Sequence, residues 1–228
     1  MTFPIASHPM RIFQCMWIGA AAMTLLSACV VNAPPVAEKT PDGLVRVQSK
    51  QVDTVYAARG VSLARYQRVM LDSVELAFKL DWQKRHPEVS ESDVARIRSQ
   101  GAGVFYEIFS SALTLNNGYP IATQPAADVL RVTASITELD VAATPGTVGN
   151  QRMYVVSPSD LTLFMELRDS TTGALLVRAI DREKGRAVGN LQVEGAVENS
   201  AEARRALELW AGLLRKALDD ARNAVPPP

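Results

Sequence analysis

The chain has 228 residues, 47% of them hydrophobic, with 24 basic side chains set against 24 acidic ones. That balance argues against nucleic acid as a partner, because such binding depends on a basic surface. Two cysteines and two histidines are too few for a disulfide framework or a histidine-rich zinc site.

The N-terminus reads as an address. Arg11 supplies a positive flank, Ile12 to Leu26 is apolar except for Gln14, Gly19 and Thr24, and the small residues Ser27 and Ala28 precede Cys29. Such a run is too short to span a bilayer as a helix, which needs about 20 residues. Leu26-Ser27-Ala28-Cys29 has the form of a bacterial lipobox, so cleavage before Cys29 and its acylation with palmitate-type chains are expected. A multiply acylated cysteine is a stable anchor, since each buried methylene adds about 0.8 kcal/mol. Loss of residues 1–28 would remove His8, Arg11 and Cys15, leaving 200 residues with 23 basic and 24 acidic side chains. With Cys29 consumed by lipid, no thiol remains for a disulfide, a redox pair or a nucleophile. The expected organisation is a cleaved signal at 1–28, a lipid-anchored tether at 29–48 and a single domain at 49–225, long enough to bury a core unaided.

The stretch Val30 to Gly43, with Pro34, Pro35 and Pro41, has the composition of a semi-rigid spacer, extending about 3.1 Å per residue. Val45–Val47 and Val52–Tyr56 are β-rich fragments that suit edge strands or ordered coil. The folded body reads more firmly from Tyr66. Val69, Leu71, Val74, Leu76 and Phe78 form one strand pattern interrupted at Asp72 and Ser73, and Asp81 to Pro87 closes it as a polar loop. Ser90 can cap a helix with Asp93 three residues on. Val94, Ile97, Gly101, Val104, Phe105, Ile108, Phe109 and Ala112 then recur at helical spacing, and Gly101 and Gly103 suggest close backbone packing. The missing third glycine and the absence of a leading strand argue against a phosphate-cradling loop.

After Asn117-Gly118 the run Leu130, Val132, Ala134, Ile136 alternates with polar residues and predicts a strand with one buried face. Leu161–Arg168 and Ala174–Asp181 predict a hairpin joined by Asp169-Ser170-Thr171-Thr172-Gly173. A last helix is expected from near Ser200, with Ala203, Leu207, Trp210, Leu214, Ala217 and Ala221 on one stripe. Its opposite face carries Arg215 with Asp219 and Lys216 with Asp220 at four-residue spacing. The order is β-α-β-β-β-α. A crossover requires parallel strands and a short connection antiparallel ones, so the fold class is α+β: a mixed, mostly antiparallel sheet with two helices packed on one face. The other face then needs a cover or polar side chains.

Leu63 to Asp72, Glu166 to Gly173, the closing Trp210-containing helix and the lipobox together resemble a proteobacterial family of lipoproteins catalogued as a domain of unknown function. The resemblance covers most of residues 26–222. It implies an envelope lipoprotein with no established activity and no catalytic residues to carry over. Val30, rather than an aspartate, follows the cysteine, and the resemblance to sorted bacterial lipoproteins then implies the outer membrane, periplasmic face.

The residues themselves offer little chemistry. His86, before Pro87 in a charged loop, reads as solvent-exposed; Asp181-Arg182-Glu183-Lys184 reads as a solvated strand end; Trp82 and Trp210 read as packing residues. A carboxylate calcium site from Asp140, Asp160 or Asp169 lacks a loop signature. No catalytic, cofactor-binding or metal-binding residue is expected, and no cofactor. Ala142–Asp160 has two readings, a loop whose Arg152, Met153, Tyr154 and Val155 contact a protein partner, or a short extra strand at the sheet edge. The expected function is a noncatalytic binding or assembly module anchored in the envelope, with a carboxylate-dependent hydrolase acting on peptidoglycan or lipid as the alternative. A concave pocket with converging carboxylates would mark the enzyme, and an apolar surface the adaptor.

Overall fold

The computed structural model describes residues 37–148, 151–157, 161–183 and 196–224. The signal segment, the lipobox and Cys29 lie outside them. Along the chain run β1 (Val45–Val47), β2 (Thr54–Ala57), β3 (Arg68–Leu71), β4 (Glu75–Phe78), α1 (Trp82–Arg85), α2 (Glu91–Thr114), β5 (Val129–Val148), β6 (Gln151–Ser157), β7 (Leu161–Asp169), β8 (Leu175–Glu183) and α3 (Ala196–Asn223). The strands follow the order β1-β2-β8-β7-β5-β3, with β4 and β6 pairing further along β5. β3 and β4 run parallel to β5, and the β7–β8 hairpin is antiparallel, as the crossover and the tight turn require.

The fold class is the mixed α+β one expected, with more pieces. The β3–β4 pattern is two strands, separated at Asp72 and Ser73. The polar loop after β4 contains the single turn α1, because Trp82 turns inward: its indole N–H donates to the Val141 carbonyl (3.0 Å) and its ring stacks on Phe78 at 4.3 Å. His86, one turn on, lies half-buried against the Trp82 ring at 5.0 Å and contacts Glu88, which corrects its reading as a freely solvated loop residue. The domain also begins earlier than residue 49. Leu44 is buried, β1 pairs with β2, and Asp42 meets Arg178 on β8 at 2.5 Å, so residues assigned to the tether are part of the sheet.

β5 is twice the length expected. Up to Thr137 it pairs with β7, and from Asp140 it pairs antiparallel with β6. Between the two halves Glu138 adopts φ 64°, and the β4 register slips from Leu76–Ile136 to Phe78–Leu139. Such a bulge shifts the side-chain phase by one residue. Ile136 and then Leu139 and Val141 are therefore all buried, and the alternation that marks the strand is lost at that point. The backbone pairing of β6 with β5 settles Gln151–Ser157 as a strand, so the loop reading of that segment is corrected.

The helix side of the sheet is apolar. Val132, Ala134 and Ile136 on β5 stand opposite Leu167, Met165 and Leu163 on β7, and cross-strand partners share a face. The other face mixes Tyr56, Phe164 and Ile180 with a charged cluster. Arg178 donates to Glu166 Oε1 at 2.6 and 2.9 Å while Arg168 donates to Oε2 at 2.5 and 3.1 Å. Burial pushes the Glu166 carboxyl up, but the hydrogen bonds from Arg178 and then Arg168 outweigh it and hold the group below its ordinary range.

α2 starts with the expected capping box, Ser90 accepting from the Asp93 amide and Asp93 from the Ser90 amide. It buries Ile97, Phe105, Ile108, Phe109 and Leu113. Its C-terminus is satisfied from afar: Arg215 of α3 donates to the carbonyls of Ala112, Leu113 and Leu115 at 3.1, 3.2 and 2.7 Å, besides pairing with Asp219 at 2.8 Å. Among the described residues no helix is long and apolar enough to cross a membrane.

The two α2 glycines differ. A Cβ on Gly101 would lie 2.5 Å from Leu76 Cδ1, whereas a Cβ on Gly103 would meet nothing within 4 Å. Close packing thus applies to Gly101 and not to Gly103. Gly103→Ala should stabilise the domain by about 1 kcal/mol through helix propensity, and Gly101→Ala should stabilise it less because Leu76 must turn its Cδ1 aside; an equal or larger gain for Gly101→Ala in thermal unfolding would refute the packing.

Candidate functional site, an apolar cleft under the last helix

The hydrophobic stripe of α3 places Leu207, Trp210, Leu214 and Leu218 against the core. At the β1–β2 edge of the sheet the helix does not close fully, leaving a cleft of about 250 Å³. Its floor is Leu163, Met165 and Leu167 of β7 with Val177 and Ala179 of β8. One wall is Val47, Val52 and Val55 from the β1–β2 hairpin, the other Trp210, Leu213 and Leu214 from α3. Polar side chains lie at the rim: Gln48, Ser49 and Gln51 on the hairpin, Lys216 and Asp220 on the helix. Lys216 and Asp220 are both exposed and pair with each other at 2.6 Å, the four-residue spacing seen in the sequence.

One carboxylate reaches the cleft from the sheet. Asp181 is on the apolar side of β8 because it stands opposite Leu163, and it is 8% exposed. Its Oδ1 accepts the Asp53 amide at 2.9 Å, and its Oδ2 accepts the Trp210 indole N–H at 2.8 Å. The carboxylate thereby ties the β1–β2 connection to α3 across β8. This corrects the reading of Asp181 as a solvated strand end. The run Asp-Arg-Glu looks hydrophilic as a string, yet strand alternation sends its first member inward.

The opposite end of the β7–β8 hairpin holds a second buried carboxylate. Asp169 Oδ1 accepts the Thr171 and Thr172 amides at 3.0 and 2.9 Å and their hydroxyls at 2.6 and 3.0 Å. Its Oδ2 accepts the Tyr66 hydroxyl at 2.9 Å and is paired with Arg65. Bonds from the Thr171 hydroxyl and Thr172 amide, followed by that from Tyr66, hold the carboxyl well below its usual range despite burial. Asp169 therefore joins the two segments, Leu63–Asp72 and Glu166–Gly173, that carry the family resemblance.

The remaining sequence candidates do not converge on the cleft. Asp140 pairs with Lys79 at 3.3 Å, Asp169 is filled by its own turn, and Asp160 lies outside the described residues, as does Lys184. Arg152, Tyr154 and Val155 sit on β6 opposite Thr147, Ala143 and Ala142, and Met153 lies between them; the side chains of this segment are also outside the described residues. The cleft itself was not foreseen. The periodicities of α3 and of the hairpin place its apolar lining, but not the gap that the β1–β2 edge leaves beneath the helix.

A mixed sheet with an apolar face under two long helices, and an apolar cleft beside the β1–β2 edge, define an α+β domain. The chain belongs to the family described as a protein of unknown function, DUF3313, whose model matches residues 40–214. No curated protein matches it. Among solved structures it is distantly similar to a PelC variant dodecamer from Paraburkholderia phytofirmans, with 16% identity over 71% of this chain and 97% of that one and a TM-score of 0.37. A second PelC dodecamer from the same organism gives 14% identity over 68% and 97%, with a TM-score of 0.35. A neuraminyllactose-binding hemagglutinin homolog from Helicobacter pylori gives 12% identity over 69% and 91%, with a TM-score of 0.32.

A carboxyl whose folded value is depressed contributes stability that is present above its unfolded value and lost as the pH falls through the folded one. Asp169→Asn should therefore cost about 3 kcal/mol near neutrality, where charge-assisted bonds are lost. The difference from wild type should shrink as the pH falls below the ordinary aspartate value of 3.8. Thermal unfolding of both proteins across pH checks this, and a difference independent of pH would contradict it.

Proposed function

We propose that this protein is a noncatalytic binding or assembly module held at the bacterial envelope by a lipid on Cys29, on the periplasmic face of the outer membrane. The anchor rests on the lipobox spacing of Leu26, Ser27, Ala28 and Cys29. The noncatalytic reading rests on one observation: the carboxylate in the floor of the cleft is engaged through both oxygens, by the Asp53 amide and the Trp210 indole. A hydrolase using two carboxylates needs both of them facing a common space with room for substrate. Here Asp181 is bonded into the frame and Asp220 is paired with Lys216 at the rim, an arrangement that favours holding an apolar group over cleaving a bond. The partner is proposed to be another envelope component.

Two experiments test this reading. Cys29→Ser should move the protein from the acylated membrane fraction to an unlipidated precursor or soluble form; a variant that still fractionates as acylated protein contradicts the anchor. Asp181→Asn should lower stability by about 1 to 3 kcal/mol, because it replaces one of the two accepting oxygens with an NH2 donor and leaves the buried donor facing it unsatisfied. If the variant instead unfolds at the wild-type midpoint while abolishing a peptidoglycan- or lipid-cleaving activity of purified envelopes, the hydrolase reading replaces this one.

A further inference from the structure

We infer that the cleft under α3 binds the hydrocarbon chain of a single-chain amphiphile, an inference that rests on the binding-module reading and names what that module holds. Three features of the cleft point to this class. Its floor and both walls are aliphatic or aromatic, from Leu163, Met165, Val177, Val55, Leu213 and Trp210. The polar group in the floor, Asp181, is 8% exposed and already bonded through both oxygens, and as a carboxylate it offers no donor to a polar ligand. An occupant that buried a polar atom there would lose its water contacts without replacement, which costs on the order of 1 to 3 kcal/mol; hydrocarbon carries no such cost.

The size and rim narrow the class. A cleft of about 250 Å³ is below the range of roughly 300 to 1,000 Å³ typical of sites for drug-sized ligands, so it has room for a segment of one hydrocarbon chain. The lining is apolar, so an occupant gains dispersion contacts with the floor and both walls. Polar side chains stand at the mouth, where Gln48 and Gln51 face Lys216 and Asp220. Lys216 and Asp220 neutralise each other, so the mouth tolerates a headgroup without selecting its charge. The chain is recognised, and the headgroup stays in solvent. A free fatty acid and a lysophospholipid share this chemistry.

The test uses the full-length protein in its own membranes. Envelopes are exposed in separate arms to a diazirine-bearing palmitate and a diazirine-bearing lysophosphatidylcholine, irradiated, and the protein is purified and its adducts mapped by mass spectrometry. Adducts are expected on peptides spanning 163–167 and 210–217, reduced severalfold by excess unlabelled palmitate. Ala217, an exposed α3 residue at the mouth, permits an occluding variant outside the core, and Ala217→Phe should reduce the same adducts severalfold. Labelling in one arm only identifies the source of the chain and supports the inference. Adducts absent from those peptides in both arms, or undiminished by competitor, overturn it. Should Ala217→Phe fail to fold, competition in the wild-type protein still decides. A protein that is anchored through Cys29 yet gives no cleft adducts refutes this inference alone, whereas loss of anchoring refutes the reading beneath it.

Discussion

The β7–β8 hairpin carries a buried carboxylate at each end, and the rest of the domain is fastened to those two groups. Burying an ionised carboxylate costs several kcal/mol unless it is fully hydrogen-bonded. Each end meets that demand with donors from distant parts of the chain. Asp169 at the turn gathers Thr171 and Thr172 locally and then Arg65 and Tyr66 from the approach to β3. Asp181 at the other end gathers Asp53 from the β1–β2 connection and Trp210 from α3. The hairpin thus acts as a bar to which the edge strands, the parallel strands and the last helix are each tied by charge-assisted bonds, the stronger kind.

These ties also decide what the cleft can do. Trp210 is 2% exposed and anchored at its nitrogen, which fixes the distance between α3 and the sheet at one point. From that point the helix runs on past Leu213, Leu214 and Ala217 over the small side chain of Ala179, and the space left there is apolar. The carboxylate in the floor of the cleft is the one that holds Trp210 and the β1–β2 connection together. On the far face of the sheet, Glu166 with Arg168, Arg178 and Asp42 forms a paired charged cluster.

Much of this was legible in the sequence, and the exceptions have physical reasons. The capping box at Ser90, the helical stripe through Phe105 and Phe109, the hairpin with its Asp-to-Gly turn and the parallel crossover all follow from local spacing, and the structure contains them. β5 was truncated in the sequence reading because the bulge at Glu138 shifts the alternation by one residue. The short strands β1 and β2 were ambiguous because so few residues carry little periodicity. Asp181 was misread because a charged run suggests solvent, and only its register opposite Leu163 shows that it points inward. The Arg215 bonds to the end of α2 could not be read at all, since they join residues about a hundred positions apart. The family match over residues 40–214 begins before β1, in line with the early start of the folded body.

The central claim is that Asp181 locks the β1–β2 connection to α3, and native-state hydrogen exchange tests it most directly. The Asp53 amide and the Trp210 indole N–H can be followed together by NMR. If the lock is as described, both protons exchange only through global unfolding, at the rate of core amides in β7, and both lose protection together in Asp181→Asn. Exchange of either proton through a low-energy local opening in the wild-type protein, far faster than the β7 amides, would contradict the account.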